Sequence, residues 1–410
     1  MTASFSVFRS IIMKKIHIIR LLAFASLIAY TISCSMGNEI AETPIDQEPK
    51  PLELSSIDTV VIPKEDTITI AAVGDIMMGT DYPNTRTLPP KDGTTLFKEV
   101  QQYLEPFDLT FGNLEGVIGR GGVAKSCNQP QYCYTFRMPA RYTNHLKKAG
   151  FDVVSIANNH ANDFGSGGRK ASAAVLDTSG LFYAGSQDKP YTIFTKDSIT
   201  YGFLATAPNS GCFSMKNYKE AAQIVSMLDS LCDIVIVSFH AGAEGASATH
   251  TPRKDEVFLG YNRGNVYKFA HGCIDAGADI LLGHGPHVTR AVELYKDRFI
   301  TYSMGNFCTY EKFSLRGPKG VGPIFHLQVN KECKYLGGTV IPTKQLGEGI
   351  PVYDDEQQAL KQLIDLSLED FPESPLDISL KNGTMLAPKP LVEEVIATKD
   401  SVLIDSSAQK

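Results

Sequence analysis

Nowhere in its 410 residues does the sequence carry a CxxC pair, and that absence argues against a thiolate zinc site. Cysteine is scarce in another sense. Eight are present, and once Cys34 is assigned to the leader described below, seven remain. An odd number in an exported chain cannot complete a disulfide framework. Cys127 and Cys133 bracket a short polar loop and form the best-placed pair for a bridge, whereas Cys232 and Cys273 lie in apolar surroundings that suit buried thiols. Basic charge is also in deficit, with 39 Lys and Arg against 45 Asp and Glu and a formal net charge of −6. Such a chain has no overall electrostatic reason to bind nucleic acid or anionic lipid. Internal repeats are absent.

Between Met1 and Ser33 there is no acidic residue, while Arg9, Lys14, Lys15 and Arg20 supply positive charge. The mostly apolar run Leu21 to Ile32 follows and is too short to span a bilayer comfortably. Basic n-region, apolar h-region and small residues together describe a signal peptide over residues 1–33. Cys34, directly after Ser33, resembles the lipobox cysteine of bacterial lipoproteins, which would make it the lipidated first residue of the mature chain. Met13 is a more natural start than Met1. Residues 34–66, rich in Pro, Glu and Asp, read as an extended tether. Loss of four positive charges with the leader takes the net charge from −6 to −10.

From residue 67 the pattern alternates between strand and helix. Strands are expected at Thr67 to Val73, Leu109 to Phe111, Val153 to Ala157, Tyr201 to Ala205, Ile234 to Phe239, Ile280 to Leu282 and Phe299 to Ser303. Helices are expected at Thr95 to Leu104, from Pro139 to Ala149, from Gly168, at Lys216 to Leu231 and through Phe269 to Ala276. That rhythm argues for an α/β domain over residues 67–330 with a largely parallel, buried sheet. Residues 331–410 are expected to form an extension with one amphipathic helix, Asp354 to Leu368, and a disordered end.

The chemistry concentrates where the strands stop. Asp75, Glu115, Asn159 with His160, His240, and His284 with His287 each follow a different apolar run. One carboxylate at a strand end is usually a cap or turn former. Six ligand-type side chains at successive strand ends are hard to explain that way, because the carboxyl ends of parallel strands converge on one edge. Two carboxylates, one amide oxygen and three imidazoles suit Mn²⁺, Fe²⁺ or Zn²⁺ better than Ca²⁺. With one bridging carboxylate the set could hold two ions, the arrangement used for in-line displacement at phosphorus. Asp163, three residues after His160, is placed to orient its ring.

These residues fall in six ordered motifs: Gly74-Asp75-x-Met77-x-Gly79, Asn113-Leu114-Glu115, Asn158-Asn159-His160-x-x-Asp163-x-Gly165-x-x-Gly168, His240-x-Gly242-x-Glu244, Gly283-His284-x-Pro286-His287 and Ser303-Met304-Gly305-Asn306-Phe307. Together with Phe136-Arg137-Met138-Pro139 they resemble the CapA family of capsule and poly-γ-glutamate biosynthesis proteins over roughly residues 67 to 310. The resemblance implies a branch of the calcineurin-like metallophosphoesterases and a four-layer α/β sandwich. Carried over residue by residue, it implies Asp75 and His287 on one divalent ion and Asn159, His240 and His284 on a second. Glu115 would bridge the ions and His160 would act as general acid. Arg137, Glu244 and Asn306 are expected to face substrate, although Arg137 and Glu244 could equally be salt-bridge residues.

The departures from the pattern are chemical. Met77 stands where the phosphoesterases have His, and a thioether is a poor ligand for a hard ion. Glu115 replaces the usual bridging Asp. Ala241 and Gly245 replace family aromatics, and a polar insertion, Ala246 to Arg263, follows. Two functions compete. One is a metal-dependent hydrolase acting on a phosphoester or on an amide or ester of an exported, anionic cell-surface polymer or its precursor. The other is a non-catalytic polymer-binding or export subunit that keeps the same pocket. Either way the expected partners are that polymer, the membrane through the lipid anchor, and other capsule-synthesis membrane proteins, with no nucleic acid.

Overall fold

The computed structural model describes residues 67–126 and 134–387. The leader, Cys34, the tether, the Cys127–Cys133 pair and the chain beyond residue 387 lie outside the described residues. Two sheets carry the architecture. In the first, strands Thr67–Met77, Leu109–Leu114, Val153–Ser155 and Phe182–Ala184 run parallel side by side, and the short strand Asn306–Thr309 pairs in parallel with Thr67–Met77. Beyond Thr67–Met77 the sheet continues antiparallel through Val321–Asn330, Tyr335–Leu346, Thr384–Leu386 and Asp377–Ile378. In the second, Arg298–Thr301, Ile280–His284, Ile234–His240 and Ile199–Thr206 are parallel, with antiparallel strands Val292–Tyr295 and Tyr191–Lys196 on the edges.

Side-chain alternation along each strand explains the layering, because successive residues point to opposite faces. Ile70, Phe111 and Val153 of the first sheet meet Phe203, Ile236 and Ile280 of the second in one apolar core. Their sequence neighbours turn outward. Val73 and Val154 pack with Leu146 and Leu176 from helices Thr143–Lys148 and Gly165–Ser179. Val235, Val237 and Leu281 pack with Val225, Leu228 and Phe269 from helices Tyr218–Asp229 and Val266–Asp275. The order is helix, sheet, sheet, helix: a four-layer α/β sandwich.

Three expectations change. The domain does not stop at 330, because that residue ends one arm of the Val321–Asn330 and Tyr335–Leu346 hairpin. Residues 335–386 contribute four strands to the first sheet, and helix Gln358–Asp370 sends Leu360 and Leu363 into the inter-sheet core. Order also extends past Pro375, through strands Asp377–Ile378 and Thr384–Leu386. Finally, Thr95 to Leu104 forms no α-helix. Its backbone bonds are mostly of the i to i−3 kind, as from Val100 to Phe97 and from Leu104 to Gln101. These tighter turns bury Leu96, Phe97, Val100 and Leu104 together.

Candidate metal centre

Register brings the polar residues to one place. In the first sheet Asp75 is paired across the ladders with Asn113 on one side and Asn306 on the other. In the second, His240 is paired with His284. The strand bearing Asp75 must lie very close to the Met304–Gly305 backbone. A Cβ at Gly74 would sit 2.0 Å from the Gly305 carbonyl oxygen, so only glycine fits, and the Asp75 amide donates to that oxygen at 2.9 Å. His287 adopts φ of +58°, a left-handed conformation that costs roughly 1–3 kcal/mol for a non-glycine residue and is typical of functional sites. The Gly285-Pro286 turn and the bonds to His287 described next hold it there.

Asp75 is the hub. Its Oδ1 accepts from Asn113 Nδ2 at 2.8 Å and lies 3.1 Å from His284 Nδ1, while its Oδ2 lies 2.9 Å from His287 Nδ1. Burial pushes the Asp75 carboxyl up, but the bonds from His284 and His287 outweigh it and hold the group well below the usual carboxylate range. Each carboxylate oxygen has two lone pairs, so these bonds still leave capacity toward a cation. Glu115 is wholly buried, and burial raises its carboxyl well above the ordinary value. Burial likewise drives His240 well down, to the neutral form. His287 goes the other way: burial opposes the proton, but Glu115 and Asp75 prevail and raise it to about 10. The imidazolium of His287 therefore supplies positive charge against the Asp75 carboxylate, and a dication would take over that role as it displaces the proton.

A direct test of fit comes from atoms without partners. Among the described residues, Glu115 Oε1 and Oε2, Asn159 Oδ1, His240 Nε2 and His284 Nε2 are all buried and make no hydrogen bond. Leaving a buried polar group unmade costs about 1–3 kcal/mol each, more if charged. Five such atoms, all of ligand type, fit a divalent ion. Glu115, His240 and His287 each present a ligand atom within 4.8 Å of the others. The two imidazoles of the Gly283-His284-x-Pro286-His287 turn thus meet residues from both sheets.

His160 and Asp163 are also brought together. His160 Nδ1 lies 2.8 Å from Asp163 Oδ2, and His160 Nε2 lies 3.8 Å from Glu115 Oε1. Asp163 is itself fixed, accepting from the Phe136 amide at 2.7 Å and pairing with Lys125. Burial lowers the His160 value, and Asp163 pulls against that. Above these residues opens a cleft of about 920 Å³ lined by Asn159, His160, His287, Glu244, Asn306 and the aromatic pair Phe136 and Phe313. Glu244 pairs with Arg263 at 3.0 Å and stands 3.9 Å from His287 Nε2. Asn306 Oδ1 lies 3.2 Å from His287 Nδ1.

For Arg137 the geometry matches the salt-bridge alternative. Its Nε donates to Asp81 Oδ1 at 2.6 Å and its guanidinium lies over the Phe164 ring, 4.8 Å from the centroid, so its charge is spent away from the cleft. Met77 is fully buried and Met78 sits in the apolar cluster under the first sheet. Cys273 is buried and Cys232 half-buried, both as free thiols. Sequence reading overlooked Asn113 as a site residue. It contacts Asp75 and also lies 3.3 Å from His240 Nδ1, tying the two sheets together. Its position two residues before Glu115, on the same strand face, was the available signal.

Comparison with known proteins follows this geometry. Residues 69–311 match the family model described as bacterial capsule synthesis protein PGA_cap. A capsule biosynthesis protein CapA from Bacillus anthracis is 29% identical over 262 residues, covering 58% of this chain and 59% of its own. A PGA biosynthesis protein CapA from Bacillus subtilis is 27% identical over 259 residues, covering 59% and 63%. The chain thus aligns with about three fifths of the length of these relatives. Among solved structures, a 5′-nucleotidase precursor from Thermus thermophilus overlays with a TM-score of 0.37 at 11% identity, covering 74% of this chain and 59% of that one. That overlay is too loose to add to the sandwich seen directly.

Proposed function

The chain belongs to the bacterial capsule synthesis protein PGA_cap family, and from that premise we propose that it is a divalent-metal hydrolase of cell-surface polymer biosynthesis. The observation that carries the reading is the set of buried, unpartnered ligand-type atoms on Glu115, Asn159, His240 and His284. With His287 and Asp75 these residues would hold one or two ions of Mn, Fe or Zn. A bound ion there would polarise a phosphoryl or carbonyl oxygen and acidify a bound water.

The chain's own groups do the rest. Asp163 orients His160 through Nδ1, leaving Nε2 toward the cleft to give a proton to the leaving group. Phe136 and Phe313, with ring centroids 5.1 Å apart, lie against His160 and His287 respectively and limit water at that wall. Among the described residues, Lys216, Lys312 and Lys319 line the cleft beside Lys125 and Arg263, whose partners are Asp163 and Glu244, the one lining acid being Glu244. That balance favours an anionic substrate such as a polyglutamate or a phosphoester.

One observation favours a non-catalytic, polymer-holding role: Met77 places a buried thioether where a hard donor is expected. Elemental analysis of the purified protein separates the readings. Stoichiometric Mn, Fe or Zn, with phosphodiesterase or amidase activity lost on chelation and restored by metal, supports the hydrolase. Metal-free protein that still binds the polyanion supports the holding role.

We further place the protein in the cell envelope as a lipoprotein anchored through Cys34. Among the described residues no helix is long and apolar enough to cross a membrane. Mass spectrometry of the membrane fraction should find a lipidated Cys34 peptide, and an intact Ser33-Cys34 peptide in most molecules would overturn the assignment.

A further inference from the structure

Among the described residues, the three most exposed large apolar side chains are Val123, Leu259 and Tyr261, at 85%, 80% and 74%. Two of them stand at the mouth of the cleft. Leu259 and Tyr261 line it, and Val123 stands two residues from Lys125, which also lines it. Leu259 and Gly260 make the turn of a hairpin between strands Glu256–Phe258 and Tyr261–Gly264. Both have positive φ, +50° and +81°, the sign required at the two central positions of a type I′ turn.

The hairpin is held out firmly. At its base Glu256 accepts two bonds from the wholly buried Arg290 guanidinium, at 2.9 and 2.8 Å. At its other end Arg263 is paired with Glu244. Its apolar tip is therefore presented to solvent by a rigid support, and soluble surfaces rarely cluster such residues without a partner.

Charge identifies the partner. The same mouth is lined by Lys216, Lys312 and Lys319, together with Lys125 and Arg263, which pair with Asp163 and Glu244. Asp255 and Glu311 neighbour the rim, as does the exposed Lys254. This positive excess occurs in a chain of net charge −6. Long cationic side chains around projecting aliphatic and tyrosyl groups make up an interfacial membrane contact, with apolar tips in the acyl boundary and ammonium groups on headgroup phosphates. A soluble polyanion would be matched by the lysines alone and would leave Leu259 and Tyr261 in water. We infer that the mouth of this cleft rests on an anionic lipid surface, so that the cleft opens into the headgroup layer. The contact goes beyond the proposed reaction and needs no metal.

The sequence contains no tryptophan, so a single introduced indole reports its own environment. The full chain would be reconstituted in phosphatidylcholine vesicles with and without phosphatidylglycerol, carrying Leu259→Trp, Tyr261→Trp or Leu368→Trp. Leu368 is 66% exposed on helix Gln358–Asp370 and lines no part of the cleft. Leu259→Trp and Tyr261→Trp should emit at shorter wavelength and be quenched by lipids brominated on their acyl chains, more strongly with phosphatidylglycerol. Leu368→Trp should respond to aqueous iodide instead. Lipid quenching at the hairpin no greater than at Leu368 would overturn the inference. So would an equal emission change produced by soluble polyglutamate without vesicles, since the rim would then be gripping a polymer.

Discussion

Asp75 Oδ2 and His287 Nδ1 lie 2.9 Å apart although 212 positions separate them in the chain. One residue ends a strand of the first sheet, and the other sits in a turn leaving the second. Their contact closes the gap between the two sheet edges at the point where Glu115 and His240 also arrive. The Asp75 carboxylate, held against His287, favours its protonated form.

Asn113 supports that centre from behind. Asn113→Ala removes its amide from Asp75 and His240 while leaving the Glu115, Asn159 and His284 donors in place. Outer partners of metal ligands are typically worth about 10–100-fold in affinity, so competitive titration with a chelating dye should show a loss of that order. Glu115→Gln and His240→Ala should lose more. Unchanged binding in all three would make the cluster structural.

His160→Ala should slow hydrolysis by roughly 10²–10⁴-fold without loss of metal. The deficit should be much larger on a phosphodiester with a poor leaving group than on one with a good leaving group. Equal deficits, or metal loss, would remove His160 from the acid role.

Arg290 and Glu256 form a buried pair under the hairpin. Arg290→Met leaves the Glu256 carboxylate without its partner and should cost about 3–5 kcal/mol in urea unfolding. Adding Glu256→Gln should recover part of that loss. A cost below about 1 kcal/mol, the value of an exposed pair, would show that water reaches the site.

Asp279 links the strands that end in His240 and His284, accepting from the Val235 amide at 2.8 Å. Burial raises its carboxyl to about 6, above the ordinary value near 3.9. The folded state therefore holds a proton that the unfolded chain releases. Relative to Asp279→Asn, which keeps an acceptor for Val235, the wild-type chain should lose about 2 kcal/mol of stability as pH rises from 4 to 6. Parallel stability curves for the two proteins across that window would contradict the raised value.

The sequence by itself determined the parallel strands that carry the site and the residue types at their ends. Apolar runs such as Ile280 to Leu282 must be buried strands, the glycines and proline after them must turn the chain, and the side chains at those turns are metal-ligand types. These are local properties, legible from alternation and spacing over a few residues. Other features depended on distance in space. The sequence motif around Phe136 marked Arg137 as a substrate residue, but folding brings Asp81 to it and consumes its charge. Asn113 looked like part of a strand end until register set it between Asp75 and His240. Net charge argued against any contact with anionic lipid, whereas the fold collects Lys125, Lys216, Lys312 and Lys319 around one opening. Coulomb interactions and hydrogen bonds fall off over a few ångströms. Tertiary structure alone decides which distant residues come that close.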